Sequence, residues 1–105
     1  MLARIVTFQL KPGATDDLIR VFQDVLAPLA AQQPGFHGVT LLTDAHISRA
    51  ITIGLWATEA DLLTAEQEQL AGIDSLLAEP TVRAVYEVSL QVVLTEQGQA
   101  HIRGI

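Results

Sequence analysis

The sequence predicts an α+β domain in which an antiparallel four-stranded sheet carries two helices on one face. Three observations lead there. Four segments alternate with the period of two that marks a strand: Leu2 to Leu10, Phe36 to Thr43, Ile51 to Ala57 and Thr81 to Leu94. Two segments with apolar residues at helical spacing lie between the first and second strands and between the third and fourth. The second and third strands are joined only by Asp44-Ala45-His46-Ile47-Ser48, which fits a hairpin and no crossover.

In the first strand Leu2, Val6, Phe8 and Leu10 share a face that Arg4 interrupts once, and Ile5, Thr7 and Gln9 share the other. Lys11-Pro12-Gly13 ends it, because proline cannot donate to a ladder. Thr15-Asp16-Asp17 opens a helix with a capping hydroxyl and two acids in its first turn. Leu18, Phe22, Val25, Leu26 and Leu29 form its stripe, Pro28 is expected to kink it, and Gln33-Pro34-Gly35 stops it. In the third strand Ile51, Ile53 and Leu55 oppose Thr52, Gly54 and Trp56, and the apolar set is expected to face the helices. Thr58 is an N-cap for the second helix, with Glu59 and Asp61 complementing its positive end. Leu63, Leu70, Ile73 and Leu77 define its stripe, broken or bent at Gly72 and ended at Glu79-Pro80. The last and longest strand places Ala84, Tyr86, Val88 and Leu90 on the helix side and Val85, Ser89 and Gln91 on the other.

This order is the βαββαβ arrangement of ferredoxin-like folds. Residues 1–94 read as one domain, and residues 95–105 as a tail able to serve as an arm on a partner. The chain has 105 residues, half of them hydrophobic, and a mean hydropathy of +0.35. A domain this small buries ~65% of its unfolded surface, so a subunit interface is the expected sink for the surplus and a homodimer the expected assembly. A net charge of −6 argues against nucleic acid and anionic membranes. With no cysteine, thiol nucleophiles, disulfides and thiolate metal sites are excluded. No apolar run is long enough to span a bilayer and the N-terminus lacks a leader pattern, so a cytoplasmic location is expected.

Leu10-Lys11-Pro12-Gly13, then Gln33-Pro34-Gly35-Phe36-His37-Gly38, then Leu55-Trp56-Ala57-Thr58-Glu59-Ala60-Asp61 follow one another in an order that resembles the antibiotic biosynthesis monooxygenase family of dimeric α+β barrels. The resemblance covers roughly residues 2 to 94. It implies a homodimer with its sheets face to face and a pocket between sheet and helices in each protomer. It also implies oxidation of a small quinol-like aromatic by molecular oxygen without metal, flavin or haem. Members that oxidise polyketide anthrones or degrade haem use an asparagine beside the tryptophan or on the first strand. This chain contains no asparagine, and Thr52 is its weaker substitute. No histidine lies between Asp61 and Pro80 to ligate haem iron, so haem degradation is not expected.

Trp56 is the candidate stacking surface for a flat substrate, or else a plug at the sheet–helix junction. Thr52, Thr7, Gln9 and Ser89 are neutral groups able to orient a ligand. His37 is a candidate base near the pocket mouth, or a surface histidine at a strand start. Glu66 is a candidate proton acceptor if the second helix turns it inward, and a solvated carboxylate if not. The three histidines lack ligand-like spacing, so no metal site is expected. Two functions remain open: a cofactor-independent monooxygenase of a hydroxylated aromatic, and a non-catalytic homodimer that binds a small aromatic ligand or serves a structural role.

Overall fold

The computed structural model describes residues 1–69, 73–94 and 100–104, with the side chains of residues 1–64 and 73–94. The side chain of Glu66, together with Leu70, Gly72 and the start of the tail, lies outside the described residues. The elements are β1 (Leu2–Gln9), α1 (Thr15–Val21), a π turn (Phe22–Leu26), α2 (Ala27–Ala31), β2 (Phe36–Asp44), β3 (Arg49–Trp56), α3 (Glu59–Gln69), a 3-10 turn (Asp74–Leu76), β4 (Val82–Glu87), β5 (Leu90–Leu94) and β6 (Ala100–Gly104). The first four strands form an antiparallel sheet in the order β2-β3-β1-β4. This is the α+β ferredoxin-like fold, with the helices layered on one face of the sheet.

The first helix turns at Pro28 without breaking. Proline lacks an N–H and its ring crowds the carbonyl four residues back. The turn before it widens instead, and the Ala27 N–H donates to the Phe22 carbonyl, an i to i−5 bond. The N-cap of this helix is Ala14, not Thr15. Thr15 is buried and makes no capping bond, because the helical ladder already begins at Ala14, whose carbonyl accepts from the Leu18 N–H at 3.0 Å.

At the second helix Thr58 caps as expected. Its Oγ1 accepts from the Asp61 N–H at 3.2 Å and donates to Asp61 Oδ2 at 2.8 Å, a reciprocal box at the helix start. Gly35 packs against that box with φ +76°, and a Cβ there would fall on the Asp61 carboxylate. Its carbonyl also accepts from the Ala57 N–H at 2.8 Å. Gly35→Ala therefore combines left-handed strain with a clash, and is expected to lower unfolding free energy by about 2–3 kcal/mol, read from the urea midpoint. One turn on, Leu62 is the residue that turns inward, 2% exposed, whereas Leu63 is half exposed, so the helix is rotated by one position from the stripe expected.

Two strand assignments change. In β3 it is Ala50, Thr52, Gly54 and Trp56 that face the helices, and Ile51, Ile53 and Leu55 that face away. The register imposes this: Thr52 pairs with Val6 and Ala50 with Phe8, whose side chains form the core, while Ile53 pairs with Ile5. The expected strand from Thr81 to Leu94 is two strands. β4 pairs with β1 as far as Glu87 opposite Leu2, and the Val88 N–H donates to the Met1 carbonyl. Beyond that point β1 offers no further partner, and β5 pairs with β6 as a separate two-stranded sheet. Within β4 the faces are also exchanged: Arg83 and Val85 stand on the helix side, Ala84 and Tyr86 on the open side, as their partners Val6, Arg4, Ile5 and Ala3 require.

The core has two centres. Val6, Phe8, Leu10, Ala14, Leu18, Leu26, Ala50 and Ile73 form the larger, and Trp56 with Leu62 and Phe36 the smaller. The opposite face of the sheet carries Ile5, Leu42, Ile51, Ile53, Leu55 and Tyr86, with Leu42 and Tyr86 about half exposed. No described helix covers it.

Candidate functional site

A cavity separates the two core centres. Its floor is the helix-facing side of the sheet: Arg4, Val6 and Phe8 from β1, Thr52, Gly54 and Trp56 from β3, Phe36 and Val39 from β2. Its roof is Phe22, Leu26 and Ala30 from the first helix, with Ile73 at one side. The closed cavity has a volume of about 30 Å3, room for a water or two, so a ring-sized ligand enters only as the lining side chains move apart. The π turn contributes to this directly, since Phe22 and Leu26 are its first and last residues and both reach the cavity.

The alternation of β3 brings Thr52 and Trp56 to the same wall with Gly54 between them. Thr52 is 5% exposed and Trp56 1%. The indole folds back over Gly54, whose absent side chain leaves the room: a Cβ there would sit 3.2 Å from Trp56 Nε1. Phe36 meets the indole edge to face, with centroids 5.2 Å apart and planes at 63°. Trp56 is thus fixed on one side by Phe36 and Leu62 and lines the cavity on another. Its Nε1 is buried and donates to no acceptor among the described residues.

The other expected site residues lie elsewhere. Thr7 and Gln9 are on the opposite face of β1 from Val6 and Phe8. Gln9 Nε2 donates to the carbonyls of Ile47 and Ser48, at 3.0 and 3.1 Å, which ties β1 to the β2–β3 hairpin. Gln9→Ala is therefore expected to lower stability by about 1–2 kcal/mol and to leave ligand affinity in the cavity unchanged, as thermal unfolding and a ligand titration of the same variant will show. Ser89 is exposed in the break between β4 and β5. His37 is exposed at the β-bulge between Phe36 and Gly38 and does not line the cavity. Glu66 has its backbone in α3, with its side chain outside the described residues. Among the described residues no three His, Asp or Glu side chains group as metal ligands, and no helix is long and apolar enough to cross a membrane.

Arg4, Phe22, Phe36 and Gly54 join the cavity without having been singled out for it. Arg4 had a signal, since a lone arginine on the inward face of a strand must either pair or serve a ligand. Gly54, flanked on its own face by Thr52 and Trp56, was a second. Phe36 and Phe22 had none beyond their apolarity.

A family model described as "Antibiotic biosynthesis monooxygenase" matches residues 1–71 of the chain. Among solved structures, a monooxygenase from the gene ActVA-Orf6 of Streptomyces coelicolor, in complex with the ligand nanaomycin D, superposes with a TM-score of 0.74 at 16% identity, covering 90% of this chain and 92% of that one. SnoaB, a cofactor-independent oxygenase from Streptomyces nogalater, gives 0.70 at 19% identity over 83% and 91% of the two chains. The NE2512 protein of unknown function from Nitrosomonas europaea gives 0.68 at 24% identity over 83% and 87%. No curated protein matches the chain.

Proposed function

The chain belongs to the antibiotic biosynthesis monooxygenase family, and on that premise we propose that it is a cofactor-independent monooxygenase that oxidises a small hydroxylated aromatic with molecular oxygen in the cytoplasm. The observation that carries the proposal is the apolar cavity walled by a buried, rigidly packed tryptophan, a surface suited to a flat ring. The solved oxygenase and the nanaomycin D complex of the same fold support it.

The chemistry belongs to the substrate. An ionised hydroxyarene gives one electron to O2, and the radical pair joins at the ring carbon para to the oxygen as a peroxide. Protonation and loss of the ring hydrogen with the outer oxygen as water leave a quinone carbonyl. One oxygen atom enters the ring, the other leaves as water, and all four electrons come from the substrate, so no external reductant is consumed. The protein's part is to bind the ring, exclude water and favour the ionised form. Trp56 stacks on the ring and Thr52 orients its oxygen. Glu66, from α3, is the proton acceptor of this proposal; His37, exposed at the bulge beside Phe36, does not line the cavity and is not assigned that role.

The same proposal includes the partner. A homodimer closes the open sheet face of one protomer on that of its copy, and the β5–β6 hairpin, with Leu90, Val92, Val93 and Leu94 all more than half exposed, reaches onto the partner. Burying large apolar side chains stabilises by roughly 1.5–3 kcal/mol each, which gives a small domain ample reason to pair.

Oxygen uptake with a panel of naphthols, anthrones and catechols tests the function. Enzyme-dependent uptake above the spontaneous rate for at least one class is expected. A ligand that raises the melting temperature and is recovered unchanged, with no uptake from any class, would favour the non-catalytic binding dimer.

A further inference from the structure

We infer that ligands reach the cavity from a groove between the first helix and β2, and that Phe22 is the gate between the two spaces. This deepens the reading of the cavity as a flat-ring site and rests on it. The closed cavity measures about 30 Å3, which admits water but no ring. Part of its lining must therefore move before a substrate can enter. The part that moves should both touch solvent and have space beside it.

Of the described lining, only Phe22, Phe36 and Val39 are partly exposed, and the other residues are buried. The described wall is thus closed except toward β2. Phe36 is held there edge to face against Trp56, with centroids 5.2 Å apart. Phe22 and Val39 differ from Phe36, because both also line a second space. That space is an open groove of about 330 Å3, bounded by Gln23 and Ala27 on the helix side and by Leu41 and Thr43 on β2. Its volume is that of a small-molecule site. Phe22 and Val39 therefore form a shared wall between a groove large enough for a ring and a cavity too small for one.

Of the two, Phe22 is the one placed to move. Val39 sits in the sheet ladder opposite Gly54, and its branched Cβ restricts χ1. Phe22 is the first residue of the π turn, whose widened ladder carries the Ala27 N–H to the Phe22 carbonyl. That turn sends Phe22 and Leu26 to the cavity while Gln23 and Ala27 border the groove. The Phe22 ring accordingly has the groove to turn into. Turned inward it seals the cavity from water, as oxidation of a bound, ionised ring requires. Turned outward it joins the two spaces, the double duty of an active-site lid.

Stopped-flow mixing with 2-methyl-1,4-naphthoquinone, a flat ring that absorbs where tryptophan emits, tests the gate. Entry is read as quenching of Trp56, the chain's one tryptophan. In the wild type the observed rate should level off as the quinone concentration rises, because opening becomes limiting. Phe22→Ala should remove the plateau and raise entry and exit rates about tenfold or more. Affinity, being the ratio of the two rates, should move by less than either. Ala27→Phe narrows the groove without touching the cavity lining, and should slow entry and exit together. Should Phe22→Ala not fold, Phe22→Leu, expected to speed both rates, decides together with Ala27→Phe. Unchanged rates in the Phe22 variant overturn the gate and leave the flat-ring site standing. So does weaker binding with no gain in entry rate, the mark of a packing role alone. A faster Phe22 variant beside an unaffected Ala27→Phe overturns the groove route. Absence of quenching in the wild type and every variant overturns both the gate and the flat-ring site.

Discussion

Trp56→Ala is expected to lower unfolding free energy by about 3–5 kcal/mol and to abolish binding of flat ligands. Trp56 is 1% exposed and forms the smaller core centre with Leu62 and Phe36. Truncating a fully buried aromatic loses its transfer energy and leaves a void that its neighbours fill only in part. Here the void opens into an existing cavity, which places the effect toward the upper end of the range. A domain whose whole stability is about 5–15 kcal/mol will then unfold at a markedly lower urea concentration. Trp56→Phe separates packing from recognition. It keeps a ring against Phe36 and should recover most of the stability, while removing the Nε1 donor. Wild-type affinity in folded Trp56→Phe would show that the indole N–H has no part in binding.

Ile53→Glu is expected to convert the proposed dimer into a folded monomer. Ile53 pairs with Ile5 on one side and Thr40 on the other, at the middle of the open face, and it contributes nothing to the two core centres. The substitution should leave the protomer's stability nearly unchanged, because its side chain meets solvent once the partner is gone. In the dimer it would place a carboxylate in a dry apolar interface and, by two-fold symmetry, bring its twin from the partner close by. An unpaired charge buried in this way is penalised by several kcal/mol, a loss of about a hundredfold to a thousandfold in dimer affinity. Sedimentation velocity at low micromolar concentration separates the outcomes. A wild-type chain that runs as a stable folded monomer would end the dimer proposal, and so would an Ile53→Glu chain that still runs as a dimer.

The elements were legible because their signals are local. Alternation, the Pro12-Gly13 and Pro34-Gly35 stops and the Thr58 cap each act within a few residues. Which face of β3 turns inward was not legible. Period two says that Ile53 and Thr52 oppose one another, and apolarity then favours burying Ile53. That inference fails where both faces of a sheet are apolar, as they are here. The same limit applies to β4, whose outward Tyr86 looks like core when only its own strand is considered. The end of β4 was hidden for another reason, since it is set by where β1 begins and nothing in the local sequence marks it. At the site, Trp56 and Thr52 were found together because they share a face on one strand, so inverting the face moved both. Thr7 and Gln9 kept the face expected of them, and the exchanged faces of β3 are what part them from Trp56 and Thr52; the bonds of Gln9 to the carbonyls of Ile47 and Ser48 are long-range, and no spacing reveals them. Arg4 was visible as an interruption in an apolar face, the trace that a polar group at the bottom of a cavity leaves in a sequence.

Isotope labelling with 18O2 addresses the central claim most directly. With the hydroxyarene that gives enzyme-dependent uptake, the quinone formed should carry one labelled oxygen atom and the released water the other, with one O2 consumed per ring oxidised and no added cofactor. Unlabelled product with hydrogen peroxide accumulating, or a labelling rate the same with and without the protein, would contradict it.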